Sequence, residues 1–389
     1  MITTLAVANY RSLLNLVVPL GQLTVVTGAN GSGKSNLYRA LRLLSQTASD
    51  GVVNALAREG GLASTFWAGP ETLTRGMKRG AVPVQGGPRN KRARLRLGFA
   101  GEDFGYSVSL GLPQDGASRF HLDPQIKKEL IWSGSHYRPA SALVDRDGAM
   151  VRARDGRAWR VMAQHLAPFD SLFGHVADPQ TAPEVLTLRQ RIRGWRFYDH
   201  FRTDQSAAPR RPQLGTRTPV LHHDGRDLAA ALQTIMETDG REVLDEAVAD
   251  AFPGARVEID VLADNRFAVQ FFQHGLLRPL SGAELSDGTL RYLLWVAALL
   301  SPRPPPLMVL NEPETSLHPD LLPALARLIV KASNDSQVWV VSHASRLIAA
   351  LEQHDVCTSL RLDKALGETT VPDLRSLDQP PWHWPDQEK

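Results

Sequence analysis

The hydrophobic pattern changes period several times along the chain, and each change marks an element. Residues 23–27 form a short apolar, partly β-branched run leading into a glycine-rich stretch, after which Leu37, Leu41 and Leu44 recur at helical spacing. Strand, loop and helix are predicted in that order. From about residue 51 to 101 the chain is rich in Gly, Pro and basic residues. It then alternates through 94–99 and 106–110, which predicts an antiparallel sheet elaborated with loops. Two amphipathic helices follow later, one with Leu228, Leu232, Ile235 and Met236 on a face, the other with Val243, Leu244, Ala247, Val248 and Phe252. Residues 256–262 and 267–272 alternate as a hairpin turning at Asp264 and Asn265. An apolar helix is predicted over 289–300, stopped by Pro302, Pro304, Pro305 and Pro306. The runs 307–310 and 338–341 flank a helical segment at 321–330, the alternation of a parallel sheet. Only 123–218, with scattered Trp and Arg, yields no architecture.

At 389 residues, with 43% hydrophobic and 22% charged residues, the chain suits one large α/β domain carrying an insert. Its start lacks the basic and apolar regions of a signal peptide, and its longest apolar run, 293–300, is too short to cross a bilayer. Cys357 is the single cysteine, so neither an intrachain disulfide nor a thiolate zinc cluster is available. A cytoplasmic protein without membrane contact is expected. The net charge of +3 is unevenly spread: Arg75, Lys78, Arg79, Arg89, Lys91, Arg92, Arg94 and Arg96 stand in a stretch without Asp or Glu. Such a cluster suits a phosphate backbone, and Arg189, Arg191, Arg193, Arg196 and Arg202 extend the theme; a solvated strand-and-loop surface accounts for it equally well.

The chemistry concentrates at the two ends. In Gly28-Ala29-Asn30-Gly31-Ser32-Gly33-Lys34-Ser35 the glycines let backbone N–H groups turn inward around a β-phosphate, and the helix that follows aims its positive end at the same point. Lys34 suits the β and γ oxygens of ATP and the Ser35 hydroxyl suits Mg²⁺, with Asn30, Ser32 and Asn36 completing the nucleotide-binding set. Near the other end, Glu312 closes an apolar strand and is the candidate base that orients or deprotonates water. Asn311 stands where such hydrolases usually place an Mg²⁺-linked Asp, and its neutral amide is a weaker partner for a hard cation. A bland alternative makes Glu312 and Glu314 helix-entry carboxylates beside Pro313. His343, just after another apolar strand, suits a γ-phosphate sensor or, taken alone, a structural histidine. Ser286, Asp287 and Gly288 precede a helix and suit an anion-binding N-terminus or an ordinary cap.

In this order the segments resemble the head domain of the ATP-binding-cassette superfamily, in its SMC, RecF and RecN branch with the related bacterial AAA-type ATPases and the ATPase half of OLD-family nucleases. By that resemblance 28–35 is Walker A, 285–289 with Arg291 the signature, 307–312 Walker B, 316–319 the D-loop and His343 the switch histidine. Asn9-Tyr10-Arg11-Ser12 resembles the start of those heads and makes Arg11 an ATP contact. The resemblance implies an α/β P-loop NTPase with a parallel core sheet, an antiparallel β subdomain and a helical signature lobe: one head domain over 1–365 with an insert at about 60–275, then a tail over 366–389. It also implies slow ATP hydrolysis and a homodimer in which Ser286 and Gly288 of one subunit cover the γ-phosphate held by Lys34 of the other. Thr289 departs from the Gln of transporter signatures, and Gln85 and Gln164 compete for the glutamine loop. Two functions remain open: a switch acting with DNA, or an ATPase sensor controlling an effector protein such as a toxin or nuclease.

Overall fold

A computed structural model describes the chain apart from residues 50, 71–73, 85–92, 114–118, 376 and 387–389. The chain folds into two compact units, each discontinuous in sequence: 1–20, 28–194 and 360–389 form the first, and 21–27 with 195–359 the second.

The first unit is built on one antiparallel sheet of eight strands. Numbered along the chain, they lie in the order β2 (Leu13–Pro19), β1 (Ile2–Tyr10), β4 (Leu95–Gly101), β5 (Phe104–Gly111), β6 (Gln125–Ser133), β7 (Ala142–Asp147), β8 (Met150–Asp155) and β9 (Ala158–Ala163). The central β1, β4 and β5 are buried along almost their whole length, so both faces of the sheet are covered there. Helix α1 (Lys34–Thr47) is amphipathic, burying Leu37, Leu41 and Leu44 as the spacing predicts. Residues 52–65 differ from the expected strands and loops: they form α2 (Val52–Arg58) and α3 (Leu62–Thr65), with the short α4 (Arg75–Lys78) beyond. Val52, Ala55 and Leu56 are the buried residues of α2, a helical spacing that the surrounding glycines obscure. The previously unreadable stretch supplies β6 to β9, α5 (Leu172–His175) and α6 (Pro183–Arg193). The chain's last hairpin closes the unit, and Trp384 is buried against Ala6 and Ala8 of β1.

In the second unit four parallel strands lie in the order β10 (Arg196–Tyr198), β15 (Leu307–Asn311), β16 (Gln337–Val341) and β3 (Leu23–Gly28), the parallel alternation expected. A smaller antiparallel sheet joins β11 (Gln213–Leu214), β12 (Arg256–Val261), β13 (Arg266–Phe272) and β14 (Leu280–Ser281). The β12–β13 hairpin turns where predicted, with Asn265 at φ 57°. Helices α7 (Leu228–Met236), α8 (Arg241–Ala251), α9 (Asp287–Leu299), α10 (Leu322–Ala332) and α11 (Ser345–Glu352) complete it. Every residue of α9 from Leu290 to Leu299 is buried, so this helix runs through the interior as a pillar for the segments around it. Strand β17 (Cys357–Ala365) carries the chain back to the first unit, where its end pairs with β18 (Glu368–Thr370).

Candidate functional site

In the first unit the glycine-rich loop is shaped by three backbone conformations that L side chains rarely adopt. Gly28, Gly31 and Gly33 have φ of 143°, 80° and 111°. A Cβ at Gly33 would fall 2.1 Å from Oγ1 of Thr369, whereas one at Gly31 would meet nothing within 4 Å. The loop is therefore backed by protein on one side and open on the other. Helix α1 begins at Lys34 with no side-chain cap and no acidic residue in its first turn, which leaves its positive end for an anion. The Lys34 ammonium folds back over the loop and donates to the carbonyls of Gly28 (2.6 Å) and Ala29 (3.2 Å). Oγ of Ser32 is buried without a hydrogen-bond partner among the described residues. An uncapped helix end, a folded-back ammonium and an orphaned hydroxyl fit a phosphate chain, and Ser35 in the first turn offers a hydroxyl to a cation.

Two other expected contacts of this unit point elsewhere. Arg11 sits at φ 48° in the turn after β1 and donates to Oε2 of Glu59 at 3.1 Å. The Tyr10 hydroxyl also donates to Glu59, and burial, reinforced by that carboxylate, pushes the phenol up. Asn36 donates its side-chain amide to Oγ of Ser12 at 2.8 Å rather than facing the loop's open side.

In the second unit β15 delivers Asn311 and Glu312 at its end. Glu312 adopts φ 50°, a left-handed conformation costly for a side-chain-bearing residue, while its amide still bonds the Val341 carbonyl at 2.8 Å. The sequence offered Glu314 only as a helix-entry carboxylate. No helix begins there; the next helical turn is Pro319–Leu321. Instead its buried carboxylate accepts from Ser342 Oγ (2.7 Å) and from the amides of His343 (2.9 Å) and Ala344 (3.1 Å). Nδ1 of His343 lies 3.3 Å from Glu314 and 3.9 Å from Glu312. The structure thus brings Glu312 and His343 together and adds Glu314 as the residue that anchors the segment carrying His343. The repeat Glu312-Pro313-Glu314 was the available signal.

Ser286 caps α9 by accepting from the Thr289 amide at 3.1 Å, and its hydroxyl pairs with that of Thr289 at 2.8 Å. Asp287 takes Arg210 at 2.6 Å, and the same guanidinium donates to the Leu285 carbonyl, bracing the segment from behind. Three positions on one face of α9 hold residues 313–316. A Cβ at Gly288 would stand 3.4 Å from the Ser316 carbonyl, Arg291 donates to the Thr315 carbonyl at 2.8 Å, and Trp295 Nε1 donates to that of Pro313 at 3.0 Å. Burial pushes the Arg291 guanidinium down. Of the seven side-chain-bearing described residues at positive φ, Asn9, Arg11, Glu312 and Ser316 lie in the candidate segments.

Among the described residues of the basic stretches, Arg75 and Arg79 are exposed, while several others are engaged internally. Asp386 pairs with Arg94 (3.1 Å) and Arg96 (2.8 Å), Arg191 with Asp103, and Arg202 with Asp204, while Arg189 and Arg193 donate to the carbonyls of Phe173 and Ala48. Gln85, Arg89, Lys91 and Arg92 lie outside the described residues.

No curated protein matches the chain in sequence. Among solved structures, the SmcHead bound to the C-winged helix domain of ScpA superposes with a TM-score of 0.51 at 14% identity, covering 95% of this chain and 97% of that one. The SMC head domain from Thermotoga maritima gives 0.46 at 13% identity, with the same coverage of 95% and 97%. The first superposition shows the fold: an SMC-type head of the ABC class, with parallel core sheet, antiparallel β subdomain and helical lobe. Among the described residues no helix is long and apolar enough to cross a membrane. Residues 23–150 and 167–349 match the family described as "AAA domain, putative AbiEii toxin, Type IV TA system", and the chain belongs to that family of P-loop ATPases, AAA_21.

Proposed function

We propose that this protein is an ATP-hydrolysing switch that dimerises around two ATP molecules and regulates a partner protein. The observation that carries the nucleotide reading is the phosphate loop, open at Gly31, backed at Gly33, and crossed by the Lys34 ammonium ahead of an uncapped helix. In this reading Lys34 neutralises the β and γ oxygens, exchanging its two carbonyl contacts for phosphate, and the loop amides with Ser32 bind the β-phosphate. Mg²⁺, with the Ser35 hydroxyl as a ligand, would supply charge neutralisation; Asn311, a neutral amide where such hydrolases usually place an Asp, makes turnover slow in this reading. Glu312 orients the attacking water, His343 senses the γ-phosphate, and Ser286, Asp287 and Gly288 act in trans on the nucleotide of the second subunit. Arg11 reaches nucleotide only by leaving Glu59.

A protein target is favoured over DNA by the engagement of Arg94, Arg96, Arg189, Arg191, Arg193 and Arg202 with partners inside the chain. The family's description names a putative toxin and a Type IV TA system, which supports a role among protein partners. Light scattering after size exclusion on Glu312→Gln, with and without Mg-ATP and a short DNA duplex, tests both points. The expected result is a mass that doubles with Mg-ATP and no comigrating DNA. A protein that binds ATP yet stays monomeric would remove the trans role of Ser286, and ATP-dependent comigration of the duplex would restore the DNA reading.

A further inference from the structure

Behind the phosphate loop, three polar side chains and a carbonyl from distant parts of the chain form one continuous run of hydrogen bonds. Asn36 Nδ2 lies 2.8 Å from Ser12 Oγ, Ser12 Oγ 2.7 Å from Thr369 Oγ1, and Thr369 Oγ1 2.8 Å from the Ser32 carbonyl. The direction of every bond follows from the last. The Ser32 carbonyl only accepts, so Thr369 donates to it; the proton between Ser12 and Thr369 is then Ser12's, and Asn36 donates to Ser12. Both hydroxyls are satisfied as donor and acceptor, and a run aligned head to tail polarises each member. The amide of Thr369 adds a bond to the Ser12 carbonyl at 2.8 Å, and Thr369 is 2% exposed.

We propose that Thr369 is a positioning residue for nucleotide binding: it fixes the plane of the Ser32–Gly33 peptide and so aims the Gly33 N–H at the bound phosphate. A trans peptide points its C=O and N–H in opposite directions. Holding the Ser32 carbonyl on Thr369 at the back of the loop turns the Gly33 N–H away from Thr369. Gly33 is required at the same point, because the Thr369 hydroxyl occupies the space a Cβ would take, 2.1 Å away. Ser12 adjoins Arg11, so the run also ties the turn that carries this candidate nucleotide contact to the loop.

This proposal rests on the nucleotide reading, and titration with the fluorescent analogue mant-ATP and Mg²⁺ separates the two. Thr369→Val keeps the shape and removes the hydroxyl, leaving Ser12 without an acceptor and the Ser32 carbonyl without its donor; loss of about tenfold in mant-ATP affinity is expected per folded molecule. Thr369→Ser restores affinity to within about twofold, since the donor is retained. A merely structural role would instead reduce the number of binding sites at unchanged Kd. If Thr369→Val does not fold, Ser12→Ala carries the same readout with a smaller rise in Kd, about threefold, because Thr369 keeps its donor bond to Ser32. Wild-type affinity in folded Thr369→Val, or in Ser12→Ala where that variant is the one that folds, overturns the positioning role alone. Wild-type protein that binds no mant-ATP overturns the nucleotide reading and the proposal with it.

Discussion

At the scale of single residues, Glu314 shows what a motif reading misses. Its carboxylate gathers three donors from residues 342–344 and so sets where the His343 ring stands relative to Glu312. Carboxylates that accept several backbone amides hold their partners more firmly than neutral acceptors do. Glu314→Gln keeps the size but weakens these bonds, and we expect kcat for ATP to fall about tenfold while mant-ATP affinity stays within about twofold, because Lys34 and its loop are untouched. Equal losses in both quantities would place Glu314 in general stability. The loop 28–35 and Glu312 were legible because their chemistry is written in consecutive residues. Thr369 and Glu314 were not, because their partners are 357 and 28 positions away in the chain.

At the scale of elements, periodicity found α7, α8, α9, α10 and the β12–β13 hairpin, whose buried positions are mostly apolar, Thr234 and Arg291 being exceptions. It failed over β6 and β7 because their interior holds charge. Glu129 and Arg146 are direct cross-strand partners, both side chains are fully buried, and they pair at 2.6 Å. Glu129 also accepts from the Tyr106 and Ser171 hydroxyls and the Leu172 amide, while Arg146 donates to the carbonyls of Gly148, Ala167 and Asp170. Burial pushes the Tyr106 phenol up, the nearby Glu129 charge adding to it. Removing one charge strands the other, so Glu129→Gln is expected to cost about 3–5 kcal/mol, read as a lowered melting midpoint in thermal circular dichroism. The double change Glu129→Met with Arg146→Met recovers part of that loss, because no uncompensated charge remains. A single variant as stable as the wild type would mean that water reaches this pair.

At the scale of the molecule, the chain's first and last segments belong to the same unit. Read from sequence alone, residues 366–389 lack periodicity and look like a tail, yet they supply Thr369 behind the loop, Trp384 against β1, and Asp386, whose side chain is 5% exposed. That carboxylate accepts from Arg96 (2.8 Å), Ser109 (2.8 Å) and Arg94 (3.1 Å). Burial alone would raise its pKa, but the Arg96 charge, the Ser109 hydroxyl and the Arg94 guanidinium outweigh it and hold the group below its ordinary value. A carboxyl depressed by folding contributes stability that is present above its unfolded pKa, about 3.9, and lost as pH falls through the lower folded value. Asp386→Asn removes this contribution. The gap in melting midpoint between wild type and Asp386→Asn should therefore be full at neutral pH and hold down to about pH 4. Below that it should close, since the wild-type carboxyl is then protonated as well. A gap that persisted unchanged into strong acid would show that Asp386 acts through packing and neutral hydrogen bonds, and that the arginines at 94 and 96 are held by something other than its charge.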